Sequence, residues 1–321
     1  MSNIGFGTWS WGNKLLWGYR QEEDDSLLEK TFHEAINSGL NFIDTADSYG
    51  IGHLNGRSEK LLGHFLQSLP YSLSKNITVA TKLAPYPWRI GRQGFKSAFQ
   101  ASKARLQGKL DRVQLHWSTS RYAPWQEVQL MDGLCDLIDN KLISEIGVSN
   151  MGPKRLISFH ERLQMRGIPL KSIQIQFSLL SPKPNKFVEV QKVCKELNIE
   201  ILAYSPLALG VLAIPPKIKE LPTNNTFLRR NLFTNLLPAS IELRRELNKI
   251  AMYREVSQAQ VSLNWCRAHG AIPIVGLRKP THAKEAAEAS KWSLTSKEKE
   301  TLDILSQKTK IRMPNNPFQS D

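Results

Sequence analysis

A carboxylate, a phenol, an ammonium and an imidazole stand at the ends of three neighbouring apolar runs of this chain. Asp44 closes LNFID and Tyr49 follows five residues later; Lys82 lies in VATKL; His116 ends VQLH. Brought together, groups of these types can move a proton. A lysine within an apolar strand is costly unless a carboxylate pairs with it, and Asp44 is the partner expected. Taken singly, each residue has an ordinary alternative. Asp44 can cap a turn, Tyr49 can be a half-buried aromatic, Lys82 an exposed strand-end lysine and His116 a structural histidine. Together, at the same end of consecutive strands, the four are hard to explain as accidents.

Placing them at one end needs a particular scaffold. Eight short runs rich in Ile, Val and Leu recur along the chain: GFGTW, LNFID (40–44), VATKL (Val79–Leu83), RVQLHW (Arg112–Trp117), ISEIGVS (Ile143–Ser149), SIQIQF (Ser172–Phe177), IEILAYS (Ile199–Ser205) and AIPIVG (Ala271–Gly276). Each stops at a polar residue or glycine, the pattern of parallel strands buried on both faces. Helical periodicity lies between them, at 25–38, from Ser58, and at 92–107, 126–139, 153–165 and 186–197. Leu28, Phe32, Ala35 and Ile36 form one stripe, with Gly39 where a C-terminal cap belongs. Ser257-Gln-Ala-Gln260 has capping-box spacing. The pattern predicts a single (β/α)8 TIM barrel over residues 1–321, with additional helices at 239–254 and 295–308. Reactive residues are then expected on the loops after the strands. An open doubly wound sheet would want a glycine fingerprint after the first strand, and Gly5-Phe-Gly7-Thr-Trp lacks the third glycine.

The totals bound the function. The 321 residues are 41% hydrophobic and 22% charged, a globular balance. No apolar run reaches the ~18–20 residues of a membrane span, and MSNIGFGTW lacks the charged start of a signal peptide, so a cytoplasmic protein is expected. Cys135, Cys194 and Cys266 are odd in number and widely spaced, which fits reduced core thiols rather than bridges or metal ligands. Net charge is +14; residues 1–150 hold 16 basic and 15 acidic side chains, residues 151–321 hold 27 and 14. A basic half can meet nucleic acid, an anionic membrane or a phosphorylated small molecule. No helix–turn–helix or aromatic RNA-binding motif accompanies it, so no nucleic-acid or membrane partner is expected. Oligomeric state is not legible.

The segments GFGTW, FIDTADSYG, VATKL, VQLHW, GVSN, QIQFSLL, AYSPL and IPIVGLRKP, in this order over nearly the whole chain, resemble the aldo-keto reductases. The resemblance implies reversible NADPH-dependent reduction of an aldehyde or ketone. Tyr49 would then be the general acid, its pKa lowered from near 10 by the Lys82 ammonium. Asp44 would hold Lys82 charged, His116 would donate to the carbonyl oxygen, and Trp117 would wall the substrate pocket.

The same resemblance assigns cofactor contacts. Ser149, Asn150 and Gln174 would bind the nicotinamide carboxamide, with Tyr204 stacked on the ring and Gly7, Thr8 and Trp9 beside it. Ser205 and the backbone through Leu207 and Leu209 would meet the pyrophosphate. Past Gly276, Arg278 and Lys279 offer the always-charged donors and helix start that a 2′-phosphate favours. His282 stands where relatives carry Gln or Arg, and Ala286 where they usually carry Asn, although Glu285 remains; adenine contacts would differ accordingly. The hairpin that often plugs the barrel bottom in the family is trimmed or missing, and the C-terminal tail is a candidate cover. The rival reading is an NADPH-binding regulatory barrel, like a channel subunit, with slow turnover. Specificity would lie in loops at 10–20, 84–92, 117–126, 206–238 and from Thr309, which are rich in aromatic residues and point to an apolar pocket.

Overall fold

The computed structural model describes residues 4–50, 52–181, 184–223 and 225–320. The reading of Met1-Ser2-Asn3, and the positions Asn224 and Asp321 of the expected loop and tail, lie outside them. Eight parallel strands close in chain order: β1 (Gly5–Gly7), β2 (Phe42–Asp44), β3 (Thr78–Leu83), β4 (Arg112–Leu115), β5 (Glu145–Ser149), β6 (Leu170–Gln176), β7 (Glu200–Tyr204) and β8 (Ala271–Gly276). Each overlaps its expected apolar run, with ends displaced by no more than two residues. Helices follow the strands as the (β/α)8 reading requires. Gln21–Asn37 buries Leu28, Thr31, Phe32, Ala35 and Ile36, an i, i+3, i+4 stripe. Its chain is turned out by Gly39 at φ 89°, a left-handed conformation that suits glycine.

Of the additional helices, Ile241–Tyr253 and Ser296–Lys308 lie where they were expected. A third, Phe227–Ala239, falls in the stretch read as loop. Thr226 starts it by accepting from the Arg229 amide, and Pro238 lies inside it near its end. The capping box also moves. Ser257 does accept from the Gln260 amide, but the Gln260 oxygen takes the Trp292 indole N–H at 3.1 Å. The reciprocal pair is Thr295–Glu298 instead.

The chain divides into two compact units. The first comprises Met1–Leu40, Gln176–Pro184 and Ala203–Asn315; in it β1 pairs with β8, Gly7 opposite Gly276. The second comprises Asn41–Ile175, Asn185–Leu202 and Asn316–Asp321, with Asp44 opposite Ala80, Lys82 opposite Gln114 and Ser149 opposite Gln174.

Alternate residues of strands in the second unit build two polar layers. Toward the strand starts, Arg112 is fully buried, with Glu145 at 2.6 Å, Glu200 at 3.3 Å, the Ser172 hydroxyl at 3.0 Å and the Phe42 ring centroid at 5.0 Å. Toward the strand ends stand Asp44, Lys82, Gln114 and Gln174. Gly147 separates the layers: a Cβ there would come within 2.7 Å of the Ser172 hydroxyl and 2.9 Å of Gln114, closer than packing tolerates. The C-terminal tail does not cover the strand starts, contrary to expectation. It runs past the strand ends, where the Asn316 amide donates to Asn150 Oδ1 (2.9 Å) and Ser320 N–H to the Asn150 carbonyl (2.9 Å).

Candidate active site

The turn after β2 explains its own composition. Thr45 N–H continues the ladder to the Ala80 carbonyl (2.9 Å), and Asp47 N–H reaches the Lys82 carbonyl (3.1 Å). The Asp47 carboxylate then accepts from the Ala84 amide at 3.2 and 3.3 Å and pairs with Arg89, which also donates to the Ala84 carbonyl at 2.7 Å. The Asp47–Arg89 pair thus pins the turn to the end of β3 and holds the two residues after it, Ser48 and Tyr49, over Lys82. Burial pushes the Asp47 carboxyl up to about 6, against the pull of Arg89. The sequence reading assigned Asp47 and Arg89 no role; their separation of 42 residues hides the pairing.

Asp44 and Lys82 meet as expected. The Lys82 ammonium lies 2.5 Å from Asp44 Oδ2 and 2.9 Å from the Thr45 carbonyl, and both side chains are almost wholly buried. Asp44 Oδ1 accepts from Gln114 (3.0 Å) and Gln174 (2.9 Å), so the carboxylate is held on both oxygens. The ammonium also sits 5.0 Å from the Tyr49 ring centroid, so its charge acts on the phenol. Lys82 is held above its ordinary pKa, because Asp44 and Tyr49 outweigh the burial that alone would lower it.

Tyr49 corrects one expectation. Lys82 does lower its pKa, but burial raises it more, with Asp44 adding to the rise, and the net direction is upward. His116 completes the group, its ring 6.0 Å from that of Tyr49 and nearly perpendicular. Burial, then the charges of Lys82 and Arg89, hold the imidazole well below 6.5, so it is neutral at physiological pH. Its Nδ1 lies 3.3 Å from the Ser48 hydroxyl.

Ser149 and Asn150 follow β5 beside this group. The Ser149 hydroxyl donates to the Gln174 carbonyl (3.1 Å), and the Asn150 amide to Ser149 Oγ (3.0 Å) and the His116 carbonyl (3.1 Å). Asn150 holds φ 60°, a left-handed position that Asn accepts better than most residues. Trp117 is walled by aromatic neighbours, stacked on Phe318 at 4.3 Å and edge-on to Tyr86 at 6.0 Å.

In the first unit, the residues expected at a dinucleotide lie after β1, β7 and β8. Gly7 ends β1; Thr8 is buried and accepts from the Trp11 amide, while Trp9 is 38% exposed and edge-on to Trp17. Tyr204, half-buried, ends β7. The turn beyond it is left-handed at Ser205 (φ 52°), Ala208 (47°), Leu209 (56°) and Gly210 (103°), with Leu207 between. Runs that include such conformations direct backbone N–H groups into anion-binding concavities. After Gly276 comes Arg278, 3.7 Å from Asp24, then Lys279 at the start of the helix Pro280–Glu288. In that helix His282 is held below its ordinary pKa by burial, Glu285 accepts from the Ser257 hydroxyl (2.9 Å), and Ala286 is buried.

Arg229 was named in the sequence only as part of a long loop, and the structure gives it a defined place. It donates to the Leu209 carbonyl (3.0 Å), lies over the rings of Trp17 and Phe233, and stands 3.1 Å from where a Cβ on Gly210 would be. Its Nε is buried with no partner among the described residues, and burial with the nearby Arg278 charge lowers its pKa to about 10. No group of His, Cys, Asp and Glu among the described residues could hold a metal, the three cysteines are free and buried, and no described helix is long and apolar enough to cross a membrane.

Known proteins resemble this chain in sequence and fold. Pyridoxal reductase, chloroplastic, of Arabidopsis thaliana is 43% identical over 100% of this chain and 87% of its own length. The 6-dehydroglucose reductase of Novosphingobium aromaticivorans is 27% identical over 91% of this chain and 87% of its own. A glycerol dehydrogenase from Gluconobacter oxydans superposes with a TM-score of 0.76 at 25% identity, covering 99% of this chain and 94% of that one. The family model described as Aldo/keto reductase family matches residues 3–307. The chain therefore belongs to the aldo/keto reductase family of oxidoreductases.

Proposed function

We propose that the protein reduces a small aldehyde or ketone to an alcohol with NADPH, and that Tyr49 delivers the proton. One observation carries this reading: a buried ammonium held by Asp44 and the Thr45 carbonyl, 5.0 Å from the centroid of the Tyr49 ring. An ammonium so held is a fixed charge beside the oxygen that becomes a phenolate.

The first unit suits a nicotinamide dinucleotide. The orphaned Nε of Arg229 and the left-handed turn beside it are an anion cradle with a donor to spare. Arg278 and Lys279 would hold a 2′-phosphate; Ser205 and the backbone through Leu207 and Leu209, with Arg229, the diphosphate. His282 and Glu285, with Gly276 before them, would face the adenosine. Ser149, Asn150 and the free oxygen of Gln174 would bind the carboxamide, Tyr204 the ring face, and Gly7, Thr8 and Trp9 would line the nicotinamide. When bound, the reduced nicotinamide supplies the hydride that no side chain can.

The protein's own residues then manage charge on the carbonyl oxygen. The neutral His116 donates to it, which favours oxygen as it becomes negative. Tyr49, above its usual pKa near 10, stays protonated at neutral pH and is always ready as a donor. An alkoxide is a much stronger base than a phenolate, so the transfer runs downhill. Lys82 stabilises the phenolate left behind, and Asp44 keeps Lys82 charged.

Trp117, Phe318, Tyr86 and Trp88 make the surroundings aromatic, which suits a flat aldehyde. Pyridoxal is the first to test, given the relative that carries that name. The three buried thiols favour a reducing compartment, for which we retain the cytoplasm. The test is NADPH consumption with a panel of aldehydes. Tyr49→Phe or Lys82→Met with near-normal hydride transfer to a good aldehyde defeats the proton assignment. Tight NADPH binding without turnover across the panel favours a regulatory barrel.

A further inference from the structure

We propose that a basic cavity beside the candidate active site is an anion subsite, and that the substrate is an aromatic aldehyde carrying a phosphate or carboxylate. The inference deepens the function proposed above and rests on it.

The cavity, of about 470 Å³, is lined by Ser120, Arg121, Lys154, Arg155, Ser158 and Ser320, all in the second unit. Its volume is that of a small-molecule site. Three cations and three hydroxyls reach it from three separate segments: the loop after β4, the first two turns of the helix Pro153–Gln164, and the C-terminal tail. Arg155 pairs with Glu127 at 3.3 Å, and Glu127 also accepts from the Ser118 hydroxyl. Arg121 and Lys154 have no carboxylate partner among the described residues. Three cations thus stand against one carboxylate.

Two features suit this excess to an anionic ligand. Lys154 and Arg155 lie in the first turn of their helix, where the macrodipole disfavours cations. No acidic residue shares that turn and no side chain caps it, so an oxyanion in the cavity would offset a local cost. The donor set fits as well: Arg presents a fork of N–H groups, Lys a point charge, and serine hydroxyls complete the shell of an oxyanion.

The cavity adjoins the candidate site. Ser320 N–H donates to the Asn150 carbonyl (2.9 Å), and the Asn150 amide to the His116 carbonyl (3.1 Å). Two of the lining segments also carry the aromatic wall just before they reach the cavity. Trp117 precedes Ser120 and Arg121, Phe318 precedes Ser320, and the Trp117 and Phe318 rings stack at 4.3 Å. Trp117 therefore has His116 on one side in the chain and the cavity residues on the other. A flat ring packed on this pair is within reach of both.

The test uses the full chain with NADPH and pairs of aldehydes that differ by one anionic group: carboxybenzaldehyde against benzaldehyde, and pyridoxal phosphate against pyridoxal. At least one anionic member is expected to show a KM about tenfold below that of its neutral partner, the effect of one charged hydrogen bond, with kcat changed less. Added salt should narrow the gap. Arg121→Glu/Lys154→Glu changes two exposed positions, and should abolish the preference while leaving the neutral aldehydes unchanged. A preference confined to one pair identifies the oxyanion as carboxylate or phosphate. No preference in either pair overturns the proposal, as does a preference that survives the charge reversal. Inorganic phosphate supplies a reading independent of turnover. Titrated by calorimetry into protein saturated with NADPH, it should bind the wild type and not the double variant. Phosphate bound in this way with no aldehyde reduced would keep the subsite and remove the reductase reading. Neutral aldehydes reduced without phosphate binding or anionic preference would remove the subsite alone.

Discussion

Lys82→Met separates what the buried ion pair does for folding from what it does for reaction. Its two side chains are 1% and 3% exposed, so neither surface screening nor solvent can absorb the change. Removing the ammonium takes the counter-charge from Asp44 Oδ2, while the Gln114 and Gln174 amides stay on Oδ1. Breaking a buried pair in this way costs about 3–5 kcal/mol, a large share of the ~5–15 kcal/mol that holds a domain folded. Catalysis loses something different. Lys82 is the leading influence that lowers the Tyr49 pKa against burial; without it the phenolate left by proton transfer has no counter-charge. A general acid typically contributes ~10²–10⁴ in rate, and a loss of that size in kcat is expected.

The double variant Asp44→Asn/Lys82→Met resolves the two effects. Its new asparagine keeps an oxygen for both amide donors and removes the stranded charge, so urea titration should recover most of the lost stability. Turnover should not recover. If the double variant regained both, Lys82 would be a structural cation and the electrostatic account of Tyr49 would be refuted.

Asp47 predicts a pH dependence. Its folded pKa, about 6, lies above the ordinary 3.8, so the folded state binds the proton more tightly than the unfolded. Its contribution is fully present below pH 3.8 and is lost as pH rises through about 6, by up to ~3 kcal/mol. The stability of the wild type relative to Asp47→Asn should therefore fall between about pH 4 and 7; a constant difference would count against a buried, raised carboxyl. Arg278→Ala should raise KM for NADPH about 10- to 100-fold through loss of a charged hydrogen bond and leave NADH little changed, whereas equal losses for both cofactors would remove the 2′-phosphate assignment. Residues 1–321 are proposed to form one domain, so unfolding followed by tryptophan fluorescence and by far-UV circular dichroism should superimpose; two separated midpoints would divide the chain.

The strands were legible because burial on both faces leaves a composition, Ile- and Val-rich and abruptly ended, that needs no knowledge of partners. The Asp44–Lys82 pair was legible for a related reason: a lysine in VATKL demands a carboxylate. Asp47–Arg89 was not, since the turn and the loop it joins are both polar and either residue could have faced water. Phe227–Ala239 was missed because it has no strand beside it to announce a repeat and carries Asn231, Asn235 and Pro238, residues of low helix propensity. The tail was assigned to the wrong end because its composition says nothing about where it docks; that is decided by Asn150, whose left-handed backbone offers a carbonyl and a side-chain oxygen to Ser320 and Asn316.

The sign of the Tyr49 shift has the same origin. Sequence reveals which charges are neighbours, and it identified Lys82 correctly as an influence that lowers the phenol pKa. It does not reveal how much water has been removed from the phenol, and here that removal is the larger influence. The consequence alters the proposed chemistry rather than weakening it. A phenol made acidic would be partly ionised before substrate arrived and would have less proton to give. A buried phenol kept protonated, beside a cation that cannot leave because Asp44 and the Thr45 carbonyl hold it, loses its proton only when a stronger base appears next to it. In the proposed mechanism the base that meets this condition would be the carbonyl oxygen once it carries negative charge, so Tyr49 would give up its proton only as that charge develops.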